Sequence, residues 1–139
     1  MKELIEQIKK AKDASIVLAS ISSEAKNKAL DYLKGSIKEN RKKILEENKK
    51  DVQNARESNF EDSLIERLAL DDKKINEIIE MVESVRDLKD NVGKIIEKTE
   101  LDKNLILEKI IVPIGLIAAI FESRPDAAIQ ISSLCIKSG

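Results

Sequence analysis

The chain has 139 residues, a length typical of one domain, and its 25 Lys and Arg residues nearly balance its 26 Asp and Glu residues. A net charge of −1 gives no basic excess for nucleic acid, and two Phe and one Tyr offer little for base stacking. With no histidine, Ser-His and Cys-His nucleophile pairs and His-ligated zinc are excluded. The single cysteine fits a reducing compartment, and the longest apolar run, residues 110–121, is shorter than the roughly 20 residues that span a bilayer. We expect a soluble, cytoplasmic protein with no metal site and with neither nucleic-acid nor membrane partners.

Residues 1–93 are predicted to be helical. Apolar residues at spacings of three and four predict a first helix over residues 4–18. Ser22-Ser23-Glu24 has the chemistry of a helix N-terminus, and one long second helix is predicted over residues 25–55. Gly35 lies inside that helix, where a local kink can form. Asn48 falls on the apolar stripe and is predicted to be a hydrogen-bonded packing residue.

Two further helices are predicted before residue 93. Asp62 or Ser63 can cap a short one, and Asp71-Asp72 can cap the next, which ends near Leu88. The latter has the clearest 3.6-residue period in the chain, with five apolar residues on one face: Ile75, Ile78, Ile79, Val82 and Val85.

Residues 94–112 are predicted to form a β-hairpin. Two segments rich in β-branched residues flank the turn chemistry of residues 101–104. A two-stranded hairpin is only marginally stable alone, so we expect this one to pair with a surface outside its own helical region. Alternating residues such as Leu105 and Leu107 would face that surface.

Residues 113–139 predict the first strand-turn-helix unit of an α/β sheet. The apolar segment 114–121 reads as a strand covered on both faces, followed by the turn Glu122-Ser123-Arg124-Pro125 and a helix over residues 126–137. The partner strands have no sequence left to come from. We therefore expect the front part of a larger enzyme with an α/β parent fold, this part being mostly α-helical.

Residues 120–127 and 134–139, IFESRPDA and LCIKSG, closely resemble the gamma-glutamyl phosphate reductase family of the aldehyde dehydrogenase superfamily. Residues 26–30, 63–68 and 112–115 are also similar to the N-terminal region of that family. Many members have Asn after the proline of the turn, where this chain has Asp126. The resemblance covers the whole chain and implies an N-terminal fragment of an aldehyde dehydrogenase-like fold.

The resemblance implies NADPH-dependent reduction of L-glutamyl 5-phosphate to glutamate 5-semialdehyde, a step of proline biosynthesis. In the family, a cysteine thiolate of a separate catalytic domain accepts the acyl group, so no catalytic residue is expected in this chain. Cys135, on the apolar helix beside Leu134, is predicted to be a packing residue. The isolated chain is expected to be inactive and to bind no cofactor, and the complete enzyme is expected to be a homo-oligomer.

The turn is the part of this chain that the resemblance places near reactants. Phe121, Glu122 and Ser123 would line the cofactor cleft, because ligands of open α/β sheets bind beyond the carboxyl ends of the strands. Arg124 could face a developing oxyanion or a phosphate. It could equally pair with Glu122 or Asp126 and only fix the turn. No glycine-rich dinucleotide fingerprint occurs here, and the superfamily binds its cofactor without one.

A second interpretation comes from a different class of protein. A helical chain of this length could be a non-enzymatic binding or assembly module that uses the hairpin as its docking strand. The unpaired two-sided apolar strand at residues 114–121 argues against a self-contained module.

Overall fold

A computed structural model describes residues 2–139. Its helices and strands follow one another along the chain as α1 (Lys2–Leu18), α2 (Ser23–Glu39), α3 (Arg41–Glu57), α4 (Asp62–Leu68), α5 (Asp72–Asp87), β1 (Ile95–Asp102), β2 (Leu105–Ile110) and α6 (Pro125–Ser138). Within the described residues the fold is mostly helical, with one two-stranded antiparallel sheet.

The core lies between α2, α5 and α6. Leu30 of α2 and Val82 of α5 are both 0% exposed. The five apolar residues predicted to share a face of α5 are all buried, so that prediction is confirmed. Ile129 and Ile136 of α6 pack against the same cluster. The apolar face of α5, which has a sustained 3.6-residue period, is thus covered by α2 and α6 of the same chain.

The predicted second helix is wrong in one respect, because the structure has two helices where the sequence suggested one. Asn40 ends α2 and precedes α3, with φ −94° and ψ 9°. Its backbone N–H and its side-chain Nδ2 both donate to the carbonyl of Ser36, at 3.0 and 2.9 Å. The break therefore lies at Asn40, which ends α2 by donating to a carbonyl in its last turn, whereas Gly35 remains helical.

The other helix boundaries follow the predicted capping chemistry closely. The hydroxyl of Ser22 accepts from the N–H of Ala25, and the carboxylate of Asp71 accepts from the N–H of Lys74. At α4 the N-cap is Glu61, one residue earlier than predicted, and its side chain makes no capping bond.

Asn48 has the packing role predicted for it. It is 6% exposed, and its Nδ2 donates to the carbonyl of Leu68 at 2.8 Å. Its Oδ1 accepts from the N–H of Leu70 at 2.7 Å. Both halves of the amide are satisfied, so Asn48 joins α3 to the segment that follows α4.

A buried ion pair joins α2 to the loop between α5 and β1. Lys26 is 1% exposed, and its Nζ lies 3.0 Å from Oδ2 of Asp90. Asp90 also accepts from the hydroxyl of Ser23 and the N–H of Val92, at 2.8 and 2.9 Å. Burial alone would raise the pKa of Asp90, but these donors together with Lys26 lower it below its ordinary value.

A second buried lysine fixes the C-terminal end of α6. Lys137 is 6% exposed, and its Nζ donates to Oδ1 of Asn27 and to the carbonyl of Arg86, both at 2.6 Å. It thereby joins α6 to α2 and to the last turn of α5. Gly139, two residues further on, packs closely against Pro113, since a Cβ there would lie 2.8 Å from Cγ of that proline.

The β-hairpin is confirmed, and every residue of both strands is exposed. Strand β1 pairs antiparallel with β2, from Ile95 opposite Ile110 to Asp102 opposite Leu105. The turn is the two residues between the strands, where Asn104 takes a positive φ of 66° that asparagine tolerates better than most residues. Neither face of the hairpin is covered by the described part of the chain.

The strand predicted over residues 114–121 does not form in the structure. The segment has no regular secondary structure, with Ile114 90% and Ile120 102% exposed. A strand requires a neighbouring backbone, and the only sheet within residues 2–139 is the hairpin. Helix α1 is formed as predicted, but it has no buried residue, and Leu4 on its apolar face is 58% exposed.

Candidate functional site

The predicted turn forms the entry to α6. Ser123 has a positive φ of 52°, an uncommon conformation for a residue with a side chain. Arg124 is the N-cap with φ −134° and ψ 82°, and Pro125 occupies the first turn of the helix, where a missing N–H is not needed. The backbone therefore bends at Ser123 and places Arg124 at the start of α6.

Arg124 pairs with Asp126, one of the two carboxylates considered from the sequence. Its Nη2 lies 3.0 Å from Oδ2 of Asp126, and the two side chains are 53% and 41% exposed. The hydrogen bond between them, which acts more strongly than burial, holds the pKa of Asp126 below its ordinary value and raises the pKa of Arg124. An ion pair this exposed is worth at most about 1 kcal/mol, so Arg124 can exchange Asp126 for another anion at low cost.

The other predicted site residues precede Arg124 in the turn and differ in their exposure. Phe121 is 46% exposed, Glu122 is exposed and Ser123 is half-buried. They adjoin Arg124 in sequence, but they do not line the cleft into which Arg124 projects. The turn thus has two sides, with Phe121 to Ser123 outside the cleft and Arg124 with Asp126 inside it.

A cleft of about 460 Å³ separates the start of α6 from α4 and α5. Arg124, Asp126 and Gln130 line its α6 wall. The facing wall has a basic rim formed by Arg67 and Lys74, the acid Glu77, and an apolar floor formed by Leu70, Ile78 and Met81. The volume falls within the range of small-ligand pockets.

No sequence pattern predicts that Arg67, Lys74 and Glu77 lie beside the turn. They lie about fifty residues before Arg124, in a segment whose charges read as a solvated helix face. Only the packing of α6 on α5 brings the two walls together, and that packing follows from the apolar residues of both helices. The one available signal was the strong apolar period of α5, which predicts a partner helix without identifying it.

The ammonium group of Lys74 is hydrogen-bonded to backbone carbonyls at the end of the preceding helix, α4. Its Nζ donates to the carbonyls of Glu66 and Ala69, at 2.9 and 2.5 Å, and so satisfies the C-terminal end of α4. Arg67 is exposed and, within residues 2–139, its guanidinium has no carboxylate partner. Arg67 is therefore the cleft residue with the most free hydrogen-bonding capacity.

Cys135 lies away from the turn, as the sequence suggested. It is a free, half-buried cysteine in the last turns of α6. It is eleven positions after Arg124, which corresponds to about 16 Å along a helix axis. Cys135 and Arg124 therefore lie near opposite ends of α6.

The described part of the chain has no group of three or more His, Cys, Asp or Glu side chains placed to hold a metal ion. Its helices also include none with the length and apolarity needed to cross a membrane.

Comparison with known proteins gives consistent matches over nearly the whole chain. Gamma-glutamyl phosphate reductase of Pelotomaculum thermopropionicum is 44% identical over 99% of this chain, which covers 32% of that protein. The crystal structure of the Thermotoga maritima enzyme of the same name superposes with a TM-score of 0.93 at 42% identity, over 98% of this chain and 33% of that one. The Saccharomyces cerevisiae enzyme gives 0.90 at 37% identity, over 94% and 33%. No family model matches the chain. The chain spans about a third of the length of these relatives.

Proposed function

Since this chain is homologous to about one third of gamma-glutamyl phosphate reductase, we propose that it forms part of an enzyme that reduces L-glutamyl 5-phosphate to glutamate 5-semialdehyde in proline biosynthesis. The observation that carries the proposal is the match of nearly the whole chain, turn included, to reductases from bacteria and yeast at 37–44% identity. The parent fold would be that of the aldehyde dehydrogenases, and the enzyme would work in the cytoplasm.

The side of the turn that lies outside the cleft, Phe121 to Ser123, is suited to a nicotinamide cofactor, NADPH in this proposal. Phe121 offers an aromatic ring that is 46% exposed, and Ser123 offers a hydroxyl. Glu122 would accept hydrogen bonds from ribose hydroxyls but would repel a phosphate, so this side fits the nicotinamide and its ribose better than the pyrophosphate. When bound, the cofactor supplies the hydride for the reduction. The chain's own residues would hold and orient its nicotinamide end.

Arg124 would act on the reacting end of the substrate. The acyl carbonyl becomes an oxyanion when a thiolate attacks it, and the leaving phosphate is also anionic. A guanidinium at the mouth of the cleft can donate hydrogen bonds to either group. Its exposed pairing with Asp126 keeps it oriented in the free protein and is weak enough to be replaced when an anion binds.

The experiment is Arg124→Ala in the complete enzyme, assayed as phosphate-dependent oxidation of glutamate 5-semialdehyde with NADP. Loss of a charge-assisted donor to the transition state should lower kcat and kcat/KM together by roughly a hundredfold. A matched control is Arg56→Ala on α3, an exposed arginine outside the cleft, which should leave both constants nearly unchanged. If Arg124→Ala lowers only the melting temperature, Arg124 has a purely structural role.

The isolated chain should have no reductase activity, because the proposed nucleophile and most of the cofactor site lie in parts of the enzyme that this chain does not supply. The exposed hairpin would provide a surface for pairing between subunits of a homo-oligomer. Turnover by the isolated, rigorously purified chain would contradict the first statement. A strictly monomeric complete enzyme would contradict the second.

A further inference from the structure

The cleft beside Arg124 contains more charge than one catalytic cation requires. Arg67, Lys74 and Glu77 face Arg124 and Asp126 across it, and apolar side chains form its floor. A site for a simple aldehyde would need only the apolar floor. The arrangement of cation, anion and apolar surface on one wall is complementary to an amino acid.

We propose that this wall binds the amino-acid head of the substrate, with Arg67 holding the α-carboxylate and Glu77 the α-ammonium group. The inference rests on the proposed function and deepens it by assigning the specificity for a glutamyl group. The apolar side chains of Leu70 and Met81 would contact the methylene groups of the substrate. The acyl end would point toward Arg124 on the opposite wall.

The residues differ in their freedom to take this role. Lys74 is held by the carbonyls of Glu66 and Ala69, so it supports the wall without binding the substrate. Arg67 has no carboxylate partner within the described residues and presents a planar fork of donors that suits a carboxylate. Glu77 has only a loose partner, with Oε1 3.8 Å from Nζ of Lys73, and its side chain is 58% exposed. Both groups can therefore turn to a ligand at little cost.

The test compares two substrates in the complete enzyme. Glutamate 5-semialdehyde carries the amino-acid head, and butanal lacks it. Arg67→Met removes the charge at similar side-chain volume and should raise KM for the semialdehyde roughly tenfold to a hundredfold, with little change in kcat. Glu77→Gln should raise the same KM less, by roughly threefold to tenfold, because the carboxylate is more exposed. For butanal, kcat/KM should stay within about twofold in both variants, because neither side chain has a group to bind.

Two further variants separate recognition from support of the fold. Arg67→Lys keeps the charge and should recover part of the lost affinity, whereas Arg56→Met outside the cleft should behave like the unaltered enzyme. Equal losses for semialdehyde and butanal, or no loss for either, would overturn the assignment of Arg67. If the unaltered enzyme oxidises butanal but not the semialdehyde, both the proposed function and this inference fail. A working enzyme that is insensitive to Arg67→Met leaves the function standing and removes only the inference.

Discussion

The hairpin of β1 and β2 is about twice as rich in Ile, Leu and Val as the helical layer of α2, α5 and α6, yet only the layer buries these residues. In the layer, Leu30 and Val82 are 0% exposed. In the hairpin, Ile106 and Leu107 are 58% and 57% exposed. Three helices can cover one another, whereas two strands have no third layer to cover them. The layer therefore buries its apolar residues within this chain, whereas the hairpin is an exposed arm whose apolar residues no described part of the chain covers.

The sharpest way to break the layer is to remove one member of its buried ion pair. Asp90→Asn should destabilise the chain by about 3–5 kcal/mol, because the ammonium group of Lys26 stays buried without a countercharge. Urea unfolding followed by circular dichroism measures the effect. Asp87→Asn is the matched control, since its partner Arg86 is exposed enough to be solvated and the change should stay under about 1 kcal/mol. Equal losses of unfolding free energy in the two variants would show that the buried ion pair stabilises the chain no more than the exposed one.

Truncating one leucine in the helical layer and one in the hairpin compares the contribution of their apolar side chains to stability. Leu30→Ala should cost about 2–5 kcal/mol through lost burial and the cavity left behind. Leu107→Ala in the hairpin should cost under about 0.5 kcal/mol in the isolated chain, because the side chain is already in water. A hairpin substitution as costly as Leu30→Ala would mean that the arm is covered in solution.

Acid should weaken the layer through Asp90 in particular. Its pKa is lowered in the folded state, so the stability it contributes is fully present above the unfolded-state value of about 3.9 and is lost as the pH falls through the lower folded-state pKa. The stability difference between the unaltered chain and Asp90→Asn should accordingly become smaller as the pH is lowered from 6 to below about 3.9. A difference that stays constant over that range would assign the effect to shape instead of charge.

Substitutions in the hairpin are expected to change stability least. Their effect is expected instead on the association of subunits. Leu107→Lys should change the unfolding free energy of the isolated chain by under about 0.5 kcal/mol. In the complete enzyme it should weaken subunit association if the hairpin pairs between subunits, and sedimentation velocity would show lighter species. Lys98→Glu removes a cross-strand ion pair with Glu108, so it tests loss of the hairpin itself. Leu107→Lys tests loss of the contact between the hairpin and its partner surface.

Sequence patterns predicted the parts of this fold that depend on near neighbours. The period of α5, the caps at Ser22 and Asp71 and the hairpin all arise from residues within about fifteen positions of one another. Asn48 was predictable because a polar residue on an apolar stripe needs hydrogen-bond partners. The break at Asn40 was missed because the sequence around it contains neither Gly nor Pro. The helical period of the apolar residues also continues across it, so the period does not reveal that one helix ends and another begins.

Contacts between distant residues could not be predicted in this way. Lys26 and Asp90 are 64 positions apart, and Lys137 and Asn27 are 110 apart, so nothing local distinguishes these lysines from solvated ones. The strand expected over residues 114–121 was inferred from composition, but a strand forms only against another backbone. At the site, the turn was found from the sequence, while the facing wall with Arg67 and Glu77 became visible only after α6 was packed on α5.

The buried Lys137 has a consequence for the geometry of the turn. Helix α6 has 14 residues, so Lys137 near one end fixes a rod of about 21 Å whose other end presents Arg124. Insertion of one residue in the middle of α6 would leave the lysine anchored and rotate the turn by about 100° around the helix axis. The length of this rod, counted in residues, sets the direction in which the arginine faces. We expect α6 to accept changes of side chain far more readily than changes of length.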